Sequence, residues 1–330
     1  MNEKENALRI IRFDHPERVV SGLPTFNLAY LGCNHEGYAG GGHHLPVGSK
    51  WTDIWGTEWH LEHPGVMGFP RVHPLADLPR VLATYRWPDP DDERIIGSLY
   101  RTAGEREGDD SFVTGQQRDT LWEKSYMLVG MENLMCYFHE EPDAVRELLH
   151  RIMDFQLGMA KHYLKLGVEL VSMTDDLGAQ RSLLLSPAII NEFLVPEYRR
   201  LFGFYKSRGI MVGFHSCGHV EPLIETFMDL GVDILNPVQF TANNLDNIRE
   251  KSRGRMALHG GINSALLVSG PPEAIRREIR NRIWQLGREG GYFCAPDQSM
   301  PWPEEHRRAL DRAIEEYGRY PLGEPEVDVA

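Results

Sequence analysis

The chain has 330 residues, of which 42% are hydrophobic, so it carries enough apolar material to build a sizeable folded core. Its 35 basic residues against 48 acidic ones give a net charge of −13, which argues against nucleic acid and anionic membrane surfaces as main partners. Residues 1–20 lack the apolar centre of a signal peptide, and no apolar run reaches the ~18–20 residues that span a bilayer, so we expect a cytoplasmic enzyme.

The first third of the chain is dominated by turn-forming residues. Residues 33–110 contain the clusters "GYAGGGHHLP", "HPGVMGFPRVHP" and "RWPDPDD", whose Gly and Pro content breaks regular elements. We therefore expect residues 1–110 to be a loop-rich elaboration with short strands and helices. The four cysteines of the chain are too few for a disulfide framework.

From about residue 110, strand patterns and helix patterns alternate. The predicted strands are "SFVTGQQ", "VELVSMTDDLG", "IMVGFHSCG", "VDILNPVQ", "RMALHGGIN" and "GYFCAPD". The predicted helices are "DAVRELLHRIMDFQLGMAKHYLKLG", "SPAIINEFLVPEYRRLFGFYKSRG", "VEPLIETFMDLG", "LDNIREKSRG", "PPEAIRREIRNRIWQLGREG" and "WPEEHRRALDRAIEEYG". Strict alternation of this kind predicts a parallel sheet with right-handed crossovers.

Two parallel architectures fit this alternation. Six or more units in one domain favour a (β/α)8 TIM barrel that spans residues 1–330 as a single domain, with the regular units in residues 110–330. The alternative is an open doubly wound sheet. Neither G-x-G-x-x-G nor G-x-x-x-x-G-K-[ST] follows any of the predicted strands, which weighs against that alternative.

Polar residues and glycines stand at the carboxyl ends of the predicted strands, where a barrel has its active site. Asp176 in "TDDLGAQ" is either a proton donor or substrate contact, or the N-cap of the next helix. Gln239 in "LNPVQ" either lines the substrate pocket or forms a hydrogen bond with a loop carbonyl. Gly260 and Gly261 in "LHGGIN" permit close backbone approach, or make room for a bulky substrate or cofactor.

The stretch "GFHSCGHVEP" carries the most specific chemical signal. His215 and Cys217 are two positions apart, so on a strand both side chains point to the same face and reach one ion. Cys294, on a later strand, is the expected third ligand across the barrel mouth. Imidazole and thiolate ligands favour Zn²⁺, and three protein ligands leave an open position for catalysis. The alternative is that these residues are ordinary packed core.

Four long segments resemble the uroporphyrinogen decarboxylase superfamily. They are "TDDLGAQRSLLLSPAIINEFLVPEYRRL", "FHSCGHVEPLIETFMDLGVDILNPVQ", "LHGGINSALLVSGPPEAIRREIRNRI" and "GGYFCAPDQSMPWPEEHRRALDRAIEEYG". The resemblance covers roughly residues 110–320, with a looser likeness before that in "WTDIWG" and "HPLADLPRVLATYRWPDP". It implies a (β/α)8 barrel.

This superfamily has two branches with different chemistry. The true decarboxylases need no metal, and they hold their substrate with an N-terminal arginine-rich segment and an aspartate. The cobalamin-dependent methyltransferases resembling the methylcobalamin:coenzyme M enzymes bind zinc through His-x-Cys and a distant Cys. The present chain resembles the second branch at His215, Cys217 and Cys294. Its "RIIRFDHPERVVSGLP" lacks the arginine loop of the first branch, and Asp53 in "WTDIWG" is the match to the decarboxylase aspartate.

The resemblance therefore implies a zinc-dependent methyltransferase that acts on a small-molecule methyl donor or thiol. The sequence has no corrinoid-binding D-x-H-x-x-G motif, so we expect a separate corrinoid protein to supply the cobalamin. Gln298 stands where many relatives have His, and Gln239 where a carboxylate could have been a fourth ligand. The alternative is a cofactor-free decarboxylase of uroporphyrinogen or a related aromatic acid, with Asp53 or Asp176 as the central carboxylate.

Overall fold

The computed structural model describes residues 1–33, 35–37, 42 and 44–325. The remaining residues of the expected single domain lie outside this described part. The strands are β1 (Thr25–Ala29), β2 (Lys50–Thr52), β3 (Glu58–His60), β4 (Phe69–Val72), β5 (Phe112–Gln117), β6 (Leu170–Thr174), β7 (Met211–His215), β8 (Ile234–Val238), β9 (Ala257–Ile262) and β10 (Tyr292–Pro296).

The helices are α1 (Glu3–Arg12), α2 (Leu78–Val81), α3 (Glu93–Gly104), α4 (Trp122–Val129), α5 (Met131–Glu140), α6 (Pro142–Lys165), α7 (Pro187–Ile189), α8 (Val195–Lys206), α9 (Ile224–Leu230), α10 (Leu245–Ser252), α11 (Ser264–Ser269), α12 (Pro272–Gly287) and α13 (Glu304–Tyr317). Single turns of 3₁₀ helix occupy Leu82–Thr84 and Glu221–Leu223, and a π-helical turn occupies Ile190–Leu194 between α7 and α8. Within the described residues, no helix is both long and apolar enough to cross a bilayer.

The main sheet confirms the predicted parallel β/α architecture. Its strand order is β1-β5-β6-β7-β8-β9-β10, and every neighbouring pair is parallel. A separate antiparallel sheet of β2, β3 and β4 lies in the N-terminal elaboration, where short strands were expected. The helices between successive parallel strands cover the outer face of the main sheet, as crossovers of a barrel do.

Residues 20–29, which end in β1, contact both edges of the main sheet. Val20 forms a parallel bridge with Phe293 of β10, and Cys294 donates its backbone N–H to the Val20 carbonyl at 2.9 Å. Five residues later the chain begins β1, which pairs with β5 at the other edge. The intervening "SGLP" segment contains Gly and Pro, which interrupt a ladder. The described residues therefore form a barrel-like sheet of seven parallel strands, which agrees with the expected TIM-barrel fold class.

The amino-terminal end of the barrel is closed by α1, a helix that the sequence patterns did not predict. Ala7, Ile10 and Ile11 of this helix pack against the inward-facing side chains at the starts of the parallel strands. These strand residues are Phe112, Leu170, Ile234, Ala257 and Phe293. Burying each large side chain stabilises the closed end by about 1.5–3 kcal/mol. The opposite, carboxyl end of the barrel is left for polar side chains.

Aromatic packing fixes which residues of β7 face the barrel interior, because Phe214 is packed among aromatic rings on the outer face of the sheet. Phe214 is 1% exposed, and its ring lies 5.7, 5.6 and 5.2 Å from the rings of Tyr198, Phe202 and Phe227. Side chains alternate along a strand, so Gly213 and His215 must face the barrel interior. The predicted helix over residues 187–206 is interrupted by the π turn just before Pro196, which lacks the N–H that a continuous helix needs.

Candidate metal centre

The loops that follow β6 and β7 touch through their backbones. A Cβ atom added at Gly178 would lie 2.6 Å from the His219 nitrogen and 2.7 Å from the Cys217 oxygen. One added at Gly218 would lie 2.4 Å from the Gly178 carbonyl, and Gly218 also has a φ of +81°. Only glycine permits this approach. The two loops are then joined by a hydrogen bond from the His219 N–H to the Ala179 carbonyl, 2.7 Å.

This contact brings three side chains with metal-ligating atoms together at the barrel mouth. The ligating atoms of Asp176, His215 and Cys217 all lie within 4.8 Å of one another. His215 Nε2 is 3.2 Å from Cys217 Sγ and 3.6 Å from Asp176 Oδ1. The same Asp176 oxygen accepts a hydrogen bond of 2.8 Å from the Cys217 backbone N–H. The structure thus brings His215 and Cys217 together as expected and adds Asp176 to them.

The orientation of His215 suits a ligand role. Its Nδ1 lies 2.8 Å from Asn236 Oδ1, and an amide oxygen only accepts hydrogen bonds. Nδ1 therefore carries the proton, and Nε2 presents its lone pair to Asp176 and Cys217. A nitrogen, a sulfur and a carboxylate oxygen are the donor types that zinc takes. The side chains of Asp176 and His215 are 40% and 34% exposed, so one side of the cluster stays open to a substrate.

Cys294 lies elsewhere, which corrects the expected ligand set. It is the middle residue of β10, where its neighbour Phe293 faces the apolar interior, so Cys294 faces outward. It is completely buried in the core between sheet and helices, and burial raises the pKa of its thiol to about 12. It does not belong to the cluster of ligating atoms found among the described residues. Asp176, and not Cys294, has its ligating atom within 4.8 Å of those of His215 and Cys217.

The β10–α13 loop reaches the cluster with Gln298 instead. Gln298 Nε2 donates to Cys217 Sγ at 3.3 Å. Its position is fixed by Ser264, whose Oγ accepts from the Gln298 backbone N–H at 2.8 Å and donates to Asp297 Oδ1 at 2.7 Å. Burial and the nearby Asp176 carboxylate raise the pKa of the Cys217 thiol to about 12 in the metal-free arrangement. A metal ion would therefore have to displace a proton from Cys217 when it binds.

Gln239 is a positioning residue. It is 7% exposed, its Oε1 accepts the Gly218 N–H at 2.9 Å, and its Nε2 lies 3.4 Å from Gln180 Oε1. It holds the loop that carries Cys217. This agrees with the structural alternative weighed for Gln239, although the loop atom that it bonds is an amide nitrogen.

The adjacent carboxylates Asp175 and Asp176 have different roles. Asp175 is completely buried and accepts the backbone N–H groups of Leu121, Trp122 and Glu123, at the start of α4. It also accepts the hydroxyl of Tyr198, and burial raises its pKa to about 7. It is the residue that caps a helix, whereas Asp176 faces the cluster.

Glu123 and Tyr126 are two residues near the centre that the sequence patterns missed. Burial, then the neighbouring carboxylates Asp119, Asp175 and Asp176, raise the pKa of Glu123 well above its usual range. Tyr126 donates its hydroxyl to Glu123 Oε1 at 3.3 Å. Both lie on α4, the helix that follows β5. A Glu and a Tyr three residues apart after a predicted strand could have indicated them in the sequence.

Asp53 and the paired glycines serve the scaffold. Asp53 Oδ1 accepts the N–H groups of Trp55 and Thr57 at 2.8 and 3.0 Å, and its Oδ2 accepts Trp59 Nε1 at 2.9 Å, so it forms the β2–β3 turn. Gly260 and Gly261 have φ values of +118° and +87°. Added Cβ atoms would meet the Val238 nitrogen at 3.0 Å and Leu286 Cδ1 at 3.2 Å, so packing within the protein accounts for both glycines.

Comparisons with known proteins agree on one family and one fold. The family model described as "Uroporphyrinogen decarboxylase (URO-D)" matches residues 122–317. A curated uroporphyrinogen decarboxylase of Methylococcus capsulatus is 25% identical over 244 residues, which cover 70% of this chain and 67% of that protein. A solved methyltransferase from Methanosarcina mazei superposes with a TM-score of 0.71 at 18% identity, covering 96% of this chain and 99% of that one. At that identity the superposition shows a shared fold.

The contact between the loops can be tested with Gly178→Ala. The added methyl group must push the loops apart, so we expect a loss of about 1–3 kcal/mol in the free energy of unfolding and a weakened affinity for zinc. Urea denaturation and zinc titration measure the two effects. The matched control is Gly203→Ala in α8, where an added Cβ meets nothing within 4 Å. Equal behaviour of the two variants would contradict the role given to Gly178.

The different roles of the two adjacent carboxylates give a second test. Asp175→Ala leaves the N–H groups of Leu121, Trp122 and Glu123 without their acceptor, and the first two are buried, so we expect it to lower the free energy of unfolding by at least about 2 kcal/mol. Asp176→Asn keeps an oxygen for the Cys217 N–H but removes the negative charge, so it should leave the melting temperature unchanged and weaken zinc binding. Calorimetry and zinc titration of both variants decide this. A large loss of stability in Asp176→Asn would place it in the scaffold.

Proposed function

The chain belongs to the uroporphyrinogen decarboxylase (URO-D) family, and from that premise we propose that it is a zinc-dependent methyltransferase. In this proposal it moves a methyl group between a small methyl donor or thiol acceptor and the cobalamin of a partner corrinoid protein. The observation that carries the proposal is the convergence of Asp176, His215 and Cys217 at the barrel mouth. The methyltransferase name of the Methanosarcina mazei structure, which spans nearly the whole chain, supports the same choice of branch.

The chemistry follows from the donor set. A zinc ion held there would act as a Lewis acid that lowers the pKa of a bound thiol or polarises the oxygen of a methyl ether. His215 and Cys217 would hold the ion together with Asp176, and Asn236 would keep Nε2 of His215 directed at it. Gln298 would hold the Cys217 sulfur through its amide N–H. The exposed side of the cluster is where the substrate heteroatom would approach.

The cobalamin is assigned to a separate protein because the chain carries no D-x-H-x-x-G motif. The proposal gives Gly260 and Gly261 no role in cobalamin binding, because Cβ atoms added there would meet the protein's own Val238 and Leu286. The proposed partner would present its corrinoid to the open carboxyl end of the barrel, above Cys217.

Decarboxylation of a porphyrinogen is less well supported by the site. Asp53, the match to the decarboxylase aspartate, has both carboxylate oxygens engaged by the β2–β3 turn. Asp176 lies beside a thiol and an imidazole, which a cofactor-free decarboxylase has no need to gather. The barrel cavity beside His215 is lined by no Lys or Arg among the described residues, although a substrate with many carboxylates needs cations.

Metal analysis tests the ligand set. We expect about one zinc per chain in the purified protein and loss of it in His215→Ala and Cys217→Ala, because each removes a ligand. Cys294→Ala and Cys136→Ala are the matched cysteine controls, and both should retain the metal. Elemental analysis after dialysis against a weak chelator measures this. Zinc lost in Cys294→Ala as well as in His215→Ala and Cys217→Ala would restore the ligand set expected from the sequence.

Methyl transfer tests the reaction itself. With methylcobalamin and 2-mercaptoethanol, we expect zinc-loaded protein to consume methylcobalamin and form the thioether, and Cys217→Ala to lose this activity by at least about 100-fold. The cobalamin absorbance follows the reaction, and Cys136→Ala serves as the control. Anaerobic incubation with uroporphyrinogen should give no decarboxylated product. Porphyrinogen turnover without methyl transfer would assign the chain to the decarboxylase branch.

A further inference from the structure

A cavity of about 330 Å³ lies inside the barrel, directly beside the candidate metal centre. His215 and Asn236 form part of its wall, so the cavity shares the imidazole of the centre. Most of its other wall residues are inward-facing positions of the parallel strands. At about 30 Å³ per water-sized group, the cavity accommodates on the order of ten non-hydrogen atoms.

The wall of this cavity is uncharged, and it combines apolar residues with hydrogen-bonding side chains. Its hydrogen-bonding side chains include Asn27, Thr114, Gln116, Ser172, Asn236 and His259. None of the described wall residues is Lys, Arg, Asp or Glu. Burial lowers the pKa of His259 to about 4, so this histidine is neutral at physiological pH. The wall itself therefore offers an ion no opposite charge, which makes desolvation of an ion in the cavity costly.

Two amide side chains in the wall have free hydrogen-bonding capacity. Gln116 Nε2 donates to Asn27 Oδ1 at 2.9 Å. Among the described residues, Asn27 Nδ2 and Gln116 Oε1 have no hydrogen-bond partner, so the pair offers a donor and an acceptor side by side. That pattern complements an uncharged group such as an amide or a hydroxyl.

Gly213 sets the depth of the cavity below His215. It faces inward on β7, next to Ser172 of β6. An added Cβ would meet only the Val171 carbonyl at 3.5 Å and Leu170 Cδ1 at 3.9 Å, which are ordinary contact distances. Its φ is not positive, so neither the backbone nor the packing requires glycine here. What the missing side chain provides is space.

We propose that this cavity binds the non-reacting part of a small uncharged substrate bearing amide or hydroxyl groups, and that Gly213 is a specificity-determining residue for its size. The assignment as a substrate pocket rests on the proposed function, which places the reacting heteroatom at Asp176, His215 and Cys217. The binding chemistry of the cavity does not depend on the metal.

Three methyl ethers of nearly equal size serve as probes. They are 2-methoxybenzamide, which is uncharged, 2-methoxybenzoate, an anion, and 2-methoxybenzylamine, a cation. Saturation-transfer NMR and calorimetry measure their binding to the purified protein. We expect the amide to bind at least about tenfold more tightly than either ion, because an unpaired ion loses its hydration. Equal or tighter binding of an ion, or binding of none of the three, would overturn the proposal.

Substitution of Gly213 tests the site of binding. Gly213→Val should weaken binding of 2-methoxybenzamide at least about tenfold, and Gly213→Ala by less, because each fills part of the cavity. Gly203→Ala in α8 is the control and should bind as the unmodified protein does. Unchanged affinity in Gly213→Val and Gly213→Ala would place the probe elsewhere.

The zinc content measured in the same samples separates the two proposals. If the protein contains no zinc but still prefers 2-methoxybenzamide, and Gly213→Val weakens that binding, the metal centre is contradicted and the cavity proposal is supported. A protein with zinc that binds the three probes alike retains the metal centre and contradicts the cavity.

Discussion

The backbone contact at Gly178 and Gly218 is the constraint on which the candidate site depends. Without it, the loops after β6 and β7 would stand a side chain apart, and Asp176 would not reach the Cys217 N–H at 2.8 Å. Gln239 supports the same contact from β8 by accepting the Gly218 N–H. The ligating atoms are thus gathered by loop backbones, and the barrel strands supply His215 and Asn236 as a fixed reference.

The charge around the centre explains why a cation would be stabilised there. Burial, and then the neighbouring carboxylates Asp119, Asp175 and Asp176, raise the pKa of Glu123 well above its usual range. The Asp175 carboxylate accepts hydrogen bonds from three backbone N–H groups and a tyrosine hydroxyl. The Asp176 carboxylate accepts one backbone N–H and is partly exposed. A divalent cation beside Asp176 would offset the remaining repulsion, as bound ions do at crowded carboxylates.

Much of the fold followed from the sequence, and the failures have identifiable physical causes. Alternating apolar periods predicted β5 to β10 and the helices between them. They missed the helix α1, which closes the amino-terminal end of the barrel. Cys294 was misplaced because the face of a strand residue depends on the register of β10, which Phe293 fixes by packing against α1. Asp176 was expected in the site without a ligand role, since its contact depends on Gly178, a long-range feature that no local pattern encodes.

The position of the metal tests the central claim most directly. Anomalous diffraction at the zinc absorption edge, from crystals of the purified protein, locates the ion without any assumption about activity. We expect a single peak about 2.0–2.3 Å from His215 Nε2, Cys217 Sγ and an Asp176 oxygen, the usual zinc–ligand distances. No peak at the barrel mouth, or a peak bound by Cys294 in place of Asp176, would contradict the ligand set and the reaction proposed from it.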